Sequence, residues 1–455
     1  MGTDVLSELK ARGLMYQCTD EGALREHLRP PHARRLYCGF DPTADSLTIG
    51  NLVPMMVLAH FQRAGHTPVV VMGGGTGLIG DPSGKTAERT MMTPEVVASN
   101  VAKQRPIFER VLDFSRENRP IMTDNAEWLS RLSYIDVLRD VGKHFSVNMM
   151  IQKESVKARL ESREHGISYT EFSYMILQSY DFLHLYRDLG VTLQVGGSDQ
   201  WGNIVAGADL IRRVEASSHQ GIEASSEDKS EVSRAHLAFG MTAPLVTKAD
   251  GGKFGKTESG AIWLTKERTS PYAYYQFWLN AADADVIRFL KIFTFVPVTQ
   301  IEEVQRSHGA APEKREAQRL LAREATKILH GEEAMKHAEH AAAALFSGDI
   351  AHLDRETLGE VFANVPSTMH KREELAAHST NAAADQPGLP LVDLLPLTSL
   401  CKSKREAREH LGAGAVSMNG KVVGVEDRLT VKDLLHGEVA VLRRGKKAWH
   451  VTRWE

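Results

Sequence analysis

Leu36-Tyr37-Cys38-Gly39-Phe40-Asp41-Pro42-Thr43-Ala44-Asp45-Ser46-Leu47-Thr48-Ile49-Gly50-Asn51 passes from a short apolar run into a cluster of small polar residues. Leu36 to Phe40 reads as a strand. Asn51 to Gly65, with Leu52, Met55, Met56, Leu58 and Ala59 apolar, reads as a helix. Pro68 to Met72 is a continuous apolar run of the kind buried in a parallel sheet. Gly73-Gly74-Gly75-Thr76-Gly77 then turns the chain. Strand, helix, strand and glycine turn open an α/β fold with a doubly wound parallel sheet, where ligands sit beyond the carboxyl ends of the strands. Val191 to Val195, running into Gly196-Gly197-Ser198-Asp199, repeats the pattern.

Outward from this core, a chain of 455 residues exceeds what one hydrophobic core spans and predicts two to four domains. Ala216 to Arg234 is rich in Ser and Glu and reads as a mobile surface insertion. From Thr269 to about Phe346 the pattern is helical, interrupted near His330-Gly331. Ser367 to Pro390 lacks periodicity and reads as a linker. Beyond it, Ser403 to Leu411 forms a basic helix, and Asn419-Gly420 marks a hairpin. Val439 to Val451 brackets the basic turn Arg443-Arg444-Gly445-Lys446-Lys447.

The net charge of −3 hides an asymmetry: Cys401 to Glu455 carries twelve Lys/Arg against seven Asp/Glu, which leaves −8 on the remaining 400 residues. A basic tail on an acidic body suits a polyanionic partner, although an ordinary uneven surface gives the same split. No apolar run approaches the roughly 20 residues that span a bilayer, so no membrane is expected. Met1 to Tyr16 carries Asp4 and Glu8 and lacks the apolar core of a signal peptide. Cys18, Cys38 and Cys401 are too scattered for a disulfide framework or a zinc cluster, and no metal ligands are assigned. A reducing cytoplasm fits.

Three groups of residues carry candidate chemistry. The helix start around Thr43 to Asn51 offers free N–H groups and a positive dipole end to a phosphate chain, yet the same residues suit a plain helix cap. Lys253-Phe254-Gly255-Lys256-Thr257 places two lysines on a glycine-bounded loop, where they either meet departing phosphates or are simply solvated. Tyr174, Gln178 and Asp181 fall on one face of a helix, an arrangement that is more often a solvated stripe. Gly80-Asp81-Pro82-Ser83-Gly84-Lys85-Thr86 imitates a P-loop but has three residues between its glycines where four are needed.

These segments together resemble bacterial tyrosyl-tRNA synthetases, members of the class I synthetases. The match runs from about Leu36 to the C-terminus. It rests on five strings: Tyr37 to Leu47, Gly77 to Lys85, Glu171 to Phe182, Gln194 to Asn203 and Lys253 to Thr257. The resemblance implies a Rossmann-like catalytic domain with a dimerisation insertion (1–245) and a mobile lysine-loop region (246–268). A helical tRNA-binding domain (269–366), the linker (367–390) and a small α+β RNA-binding domain of the alpha-L type (391–455) would follow. It implies L-tyrosine, ATP with Mg2+, and tRNA(Tyr) as substrates, and a homodimer. Tyr37 and Asp181 would bind the phenol, Asp81, Tyr174 and Gln178 the ammonium group, and Gln200 would lie near the carboxylate. Thr43, Thr48, Gly50 and Asn51 would hold the ATP phosphates, with Cys38, Gly39, Asp41, Gly197 and Asp199 along the nucleotide. Lys253, Lys256 and Thr257 would stabilise departing pyrophosphate.

One position departs from the family pattern. The signature usually opens with histidine, and Thr48 stands there instead. Threonine is shorter than imidazole and never cationic, which predicts weaker transition-state stabilisation in adenylate formation with tyrosine binding little changed. Two rivals remain at this point: the tryptophan enzyme, which shares the fold but whose indole has no phenol, and a catalytically silent RNA-binding protein. Tyrosine-dependent pyrophosphate exchange separates all three.

Overall fold

In the computed structural model, the described residues are 4–83, 91–153, 156–157, 160, 166–218, 238–252, 254–257, 260–363, 365–377, 388–445 and 448–455. The chain divides into two units, Met1–Thr269 with Trp278–Leu329, and Ser270–Phe277 with His330–Glu455.

The first unit is built on a six-stranded sheet. Its strands are β1 (Gln17–Cys18), β2 (Arg35–Phe40), β3 (Thr67–Met72), β4 (Ile121–Asp124), β5 (Val191–Gly197) and β6 (Phe239–Ala243), in the order β1-β6-β5-β2-β3-β4. All neighbours are parallel except β1 against β6. Connections run outward from β2 on one side and from β5 on the other, so the β2/β5 junction is the switch point of a doubly wound sheet. Val69, Val70 and Val71 are fully enclosed, as the continuous apolar run predicts. The helix Leu52–Arg63 packs against β3 and β5 and buries residues all round, from Val53 to Gln62. Its sequence is correspondingly apolar on every face.

The N-terminal helix Val5–Arg12 is tied to this unit by a buried arginine. The Arg12 guanidinium donates to the carbonyls of Lys291, Thr294 and Val296 at 3.1, 3.0 and 2.8 Å, where the helix Asp283–Phe293 ends. Its Nε meets Glu8 Oε1 at 2.6 Å. A cation thus satisfies carbonyls at a helix C-terminus, where the dipole favours it.

The helical stretch expected at 269–366 is not a unit of its own. It forms helices at Pro271–Leu279, Asp283–Phe293, Val298–Ala310 and Glu316–Ser347, and the last is broken at Gly331, with φ 86° and ψ 170°. The division between the units falls at this break, with Leu329 and His330 on opposite sides.

In the first unit a short antiparallel pair, β7 (Lys256–Thr257) with β8 (Gly260–Ala261), follows β6. The second unit carries β9 (Ser367–His370), β10 (Leu389–Pro390), β11 (Val416–Met418), β12 (Lys421–Val422), β13 (Arg428–Leu429), β14 (Val439–Arg444) and β15 (Ala448–Trp454). Five of them form a sheet in the order β12-β11-β14-β15-β9, with the helix Lys404–Gly412 preceding β11. The expected hairpin is present, with Asn419 at φ 49° and Gly420 at φ 88° between β11 and β12. Gly420 answers a second demand: a Cβ there would lie 1.7 Å from the Gly348 carbonyl oxygen.

The linker reading of 367–390 is corrected at its start. Ser367–His370 runs parallel to Val451–Trp454 as the sheet's edge strand, and Arg372–Ala377 is helical. Its inward residues are polar, which removes the apolar alternation that marks a strand. Thr368 Oγ1 lies 2.8 Å from His370 Nε2 and 3.1 Å from His450 Nε2, so the polar groups satisfy one another. Of the insertion expected at 216–234, Ala216 to Ser218 complete the helix Trp201–Ser218, and the rest lies outside the described residues. Among the described residues no helix is long and apolar enough to cross a membrane.

Candidate active site

Beyond the carboxyl ends of β2 and β5 lies a cavity of about 630 Å³. Tyr37, Cys38, Gly39, Asp41, Thr43, Thr48, Gly50 and Asn51 line it from β2 and the turn that follows. Asp81, Tyr174, Gln178, Asp181, Gly197, Asp199, Gln200 and Lys256 complete the wall. Lys253 and Lys85 lie outside the described residues, as does the Thr257 side chain.

The inner end gathers buried groups that can hold a hydroxyl. Asp181 is 4 % exposed, and its oxygens accept from Trp128 Nε1 at 2.7 Å and Asn125 Nδ2 at 2.9 Å. Burial pushes its carboxyl up to about 7, against the opposing pull of those two donors. The Tyr37 hydroxyl is buried beside it without a hydrogen-bond partner among the described residues, and its ring packs 5.4 Å from Phe182. An orphaned hydroxyl and a carboxylate with lone pairs to spare match a phenol that both donates and accepts.

A continuous network links this end to the next subsite. Asn125 Nδ2 also donates to Thr76 Oγ1 at 3.0 Å, Thr76 Oγ1 donates to Asp41 Oδ1 at 2.8 Å, and Tyr174 donates to Asp41 Oδ2 at 3.1 Å. Burial and the Asp41 charge hold the Tyr174 phenol well above its ordinary value, so it remains a donor. Asp81 accepts from Gln200 Nε2 at 2.6 Å and from the Ser83 backbone at 2.9 Å. Two carboxylates flanking a neutral tyrosine suit an ammonium ion. The Tyr174, Gln178, Asp181 stripe is therefore a cavity wall: Tyr174 and Asp181 are buried and Gln178 half-buried.

The glycine turn after β3 serves this network. A Cβ on Gly73 would lie 2.3 Å from Asp41 Oδ1, and one on Gly74 would lie 2.2 Å from Asp124 Oδ1. Asn125 Oδ1 accepts the Gly75 N–H at 2.7 Å. Asn125 and Trp128 belong to the site and escaped the sequence reading, since each is an isolated residue without motif spacing that only the fold brings to Asp181. Gln194, which opens one of the five strings, lines the cavity without having been assigned a role.

Opposite, the helix start and the lysine turn form one piece. Leu264 donates its N–H to Leu47 O at 2.9 Å, Ile49 to Ile262 O at 3.0 Å, and Ile262 to Gly255 O at 2.9 Å. Gly255 has φ 74°, and a Cβ there would lie 2.4 Å from Ile49 Cγ2. Phe254 anchors the turn, its ring 5.1 Å from those of Phe289 and Phe293. Lys256 follows, exposed and in the cavity wall. Nearby, burial and the charge of Asp199 push the Cys38 thiol up to about 12, so it stays protonated.

Outside this cavity, Cys401, Glu406 and His410 bring ligand-type atoms within 4.8 Å of one another. Arg444 Nη1 lies 2.9 Å from Glu406 and 3.2 Å from His410, so the guanidinium supplies the positive charge there.

The family model described as class I tRNA synthetases (W and Y) matches residues 31–347, and that of the tyrosine–tRNA ligase SYY-like C-terminal domain matches 359–452. The chain is 49 % identical to the tyrosine–tRNA ligase of Geobacillus kaustophilus over 453 residues, covering 99 % of this chain and 100 % of that protein. A C-terminally truncated mitochondrial tyrosyl-tRNA synthetase from Coccidioides posadasii superposes with a TM-score of 0.65 at 34 % identity, covering 74 % of this chain and 91 % of that one. The corresponding Aspergillus nidulans structure gives 0.66 at 30 % identity, covering 76 % and 94 %. A full-length match at this identity, together with both family models, places the chain in the tyrosine–tRNA ligase family of class I tRNA synthetases.

Proposed function

We propose that this protein activates L-tyrosine with ATP to tyrosyl-adenylate and pyrophosphate, then transfers the tyrosine to the 3′ end of tRNA(Tyr). The observation that carries the reading is the partnerless Tyr37 hydroxyl beside Asp181, at the buried end of a cavity whose other wall holds Asn51 and Lys256. Tyrosine enters with its phenol between Tyr37 and Asp181, its ammonium group near Asp81, Tyr174 and Gln178, and its carboxylate near Gln200. Cys38, Gly39, Asp41, Gly197 and Asp199 follow the nucleotide, and Thr43 with the Thr48 to Asn51 turn meets its phosphates.

The carboxylate oxygen attacks the α-phosphorus in line, a mixed anhydride forms, and pyrophosphate leaves with the electron pair of the broken P–O bond. Negative charge grows on the leaving group, and Lys256, with Lys253 and Thr257 by family resemblance, offsets it together with the Mg2+ that accompanies ATP. A tRNA ribose hydroxyl then displaces AMP. Phenylalanine is rejected because it leaves the buried Tyr37 hydroxyl without a partner and brings no hydroxyl to the Asp181 lone pairs that Trp128 and Asn125 leave open.

Charge supports the RNA partner: the basic turn of the second unit carries Arg443 over the Trp449 ring at 5.0 Å. A homodimer is supported by exposed apolar residues concentrated between β4 and β5, with Tyr134 62 % and Ile135 67 % exposed and Val147 and Met149 exposed in the same segment. A cytoplasmic site of action follows from the reaction's substrates. ATP–pyrophosphate exchange with Mg2+ tests the proposal: tyrosine supports exchange, and neither tryptophan nor phenylalanine does. Exchange driven by tryptophan, or none with any amino acid, would refute it.

A further inference from the structure

Thr48 and Asn51 meet at a single atom. Asn51 Oδ1 accepts from the Thr48 backbone N–H at 3.0 Å and from Thr48 Oγ1 at 3.0 Å. A backbone N–H only donates, so the Asn51 atom facing it is the carbonyl oxygen, and the amide NH2 points the other way. That NH2 has no hydrogen-bond partner among the described residues, while both side chains line the cavity. The hydroxyl hydrogen of Thr48 is already committed to Asn51. The Thr48 oxygen in turn accepts from the Asn51 backbone N–H in a capping box, so the hydroxyl is engaged with Asn51 on both counts.

The backbone around the pair is held on both sides. Leu264 N–H to Leu47 O at 2.9 Å and Ile49 N–H to Ile262 O at 3.0 Å flank Thr48, which itself bridges to Trp263. Thr48 therefore presents its two donors in a set direction, and Asn51 is the side chain they orient.

Asn51 belongs to the turn already read as meeting the phosphates; we propose that Thr48 is a positioning residue that locks the Asn51 amide with its NH2 group free to donate to them. Where a histidine at position 48 would meet the anion itself, this chain passes that contact three residues along. The inference rests on reading the cavity as an ATP site. It replaces the expectation of Thr48 as a weakened direct donor.

The test is a double-mutant cycle on the full-length protein, read by single-turnover adenylate formation with Mg-ATP and tyrosine. Asn51→Ala slows the step by roughly tenfold to a hundredfold, the range for losing one hydrogen bond to a charged group, with tyrosine affinity unmoved. Thr48→Val slows it severalfold, and Thr48→Ser, which restores the hydroxyl, recovers most of the loss. In the Thr48→Val/Asn51→Ala double variant the rate equals that of Asn51→Ala alone within about twofold. Losses that multiply in the double variant would overturn the proposal, because Thr48 would then act independently.

Thr48→Ala repeats the cycle if Thr48→Val does not fold. If the unmodified protein forms no adenylate, the functional reading fails separately. The same variants then decide the positioning claim through Mg-ATP affinity measured by calorimetry: coupled losses support it, and independent or absent losses overturn it.

Discussion

Asn125 donates a hydrogen bond to Asp181 at 2.9 Å across 56 positions of sequence, and its second amide hydrogen goes to Thr76 at 3.0 Å. One amide thereby connects the phenol end of the cavity to the Asp41–Tyr174 end. Under the proposed function, recognition of the two ends of tyrosine would be joined through a residue that touches neither motif in sequence.

Removing that joint should be costly in a selective way. Asn125→Ala leaves the Gly75 and Thr76 N–H groups and one Asp181 oxygen without their partner, at about 2–3 kcal/mol in stability. The tyrosine KM rises roughly tenfold, as one lost hydrogen bond in a binding site implies, while the ATP KM stays near its original value. Denaturant melts and exchange kinetics check both parts. Equal rises in the two KM values would contradict the assignment.

Tyrosine affinity should depend on pH through Asp181. Burial raises its folded-state carboxyl from the ordinary 3.8 to about 7. Phenol binding favours the ionised form, so affinity is full above that value and falls as pH drops through it. Well below it the loss approaches roughly tenfold per pH unit. Trp128→Phe removes a donor that lowers this carboxyl, and the midpoint should move upward. Tyrosine titrations between pH 5.5 and 8.5 measure it; an affinity flat across that range would dismiss Asp181 as the titrating acceptor.

Gly255→Ala should separate the two substrates. The substitution puts a side chain at φ 74° and drives its Cβ against Ile49. The backbone alone costs about 1–2 kcal/mol, and the lysine turn must shift from the signature. Adenylate formation then slows by roughly tenfold or more, because charge stabilisation depends on placement. Equilibrium tyrosine binding is unaffected, and a parallel loss of tyrosine binding would show wider damage.

Arg12 is a stability residue at a distance from the cavity. Arg12→Met strips three carbonyls of their donor and leaves Glu8 without its partner, costing about 2–4 kcal/mol. Urea unfolding reads this directly, while exchange activity at low temperature should stay close to that of the unmodified protein. A variant equally stable would mean that water replaces the guanidinium at no cost.

Much of the fold was legible because its signals are local. Apolar β-branched runs, the apolar helix read over Asn51 to Gly65 and the Gly and Asn-Gly turns each depend on neighbours a few residues away, and they identified the doubly wound sheet and the Asn419-Gly420 hairpin. The break at His330-Gly331 was visible too, but not that it divides two units. Ser367–His370 was missed because a strand whose inward face is Thr and His lacks the alternation that marks one.

By itself, the sequence determined the strand–helix–strand opening through β3, the strand β5 with its glycine turn, the Asn419-Gly420 hairpin, and the residue types that end up beyond β2 and β5. Only the tertiary structure decided that the Tyr174, Gln178, Asp181 stripe faces inward, that Asn125 and Trp128 hold Asp181, and that Thr48 spends its hydroxyl on Asn51. Local propensity acts through bonds between near neighbours. Burial and hydrogen-bond partners depend on which distant segment arrives, and that is settled when the whole sheet closes around the cavity.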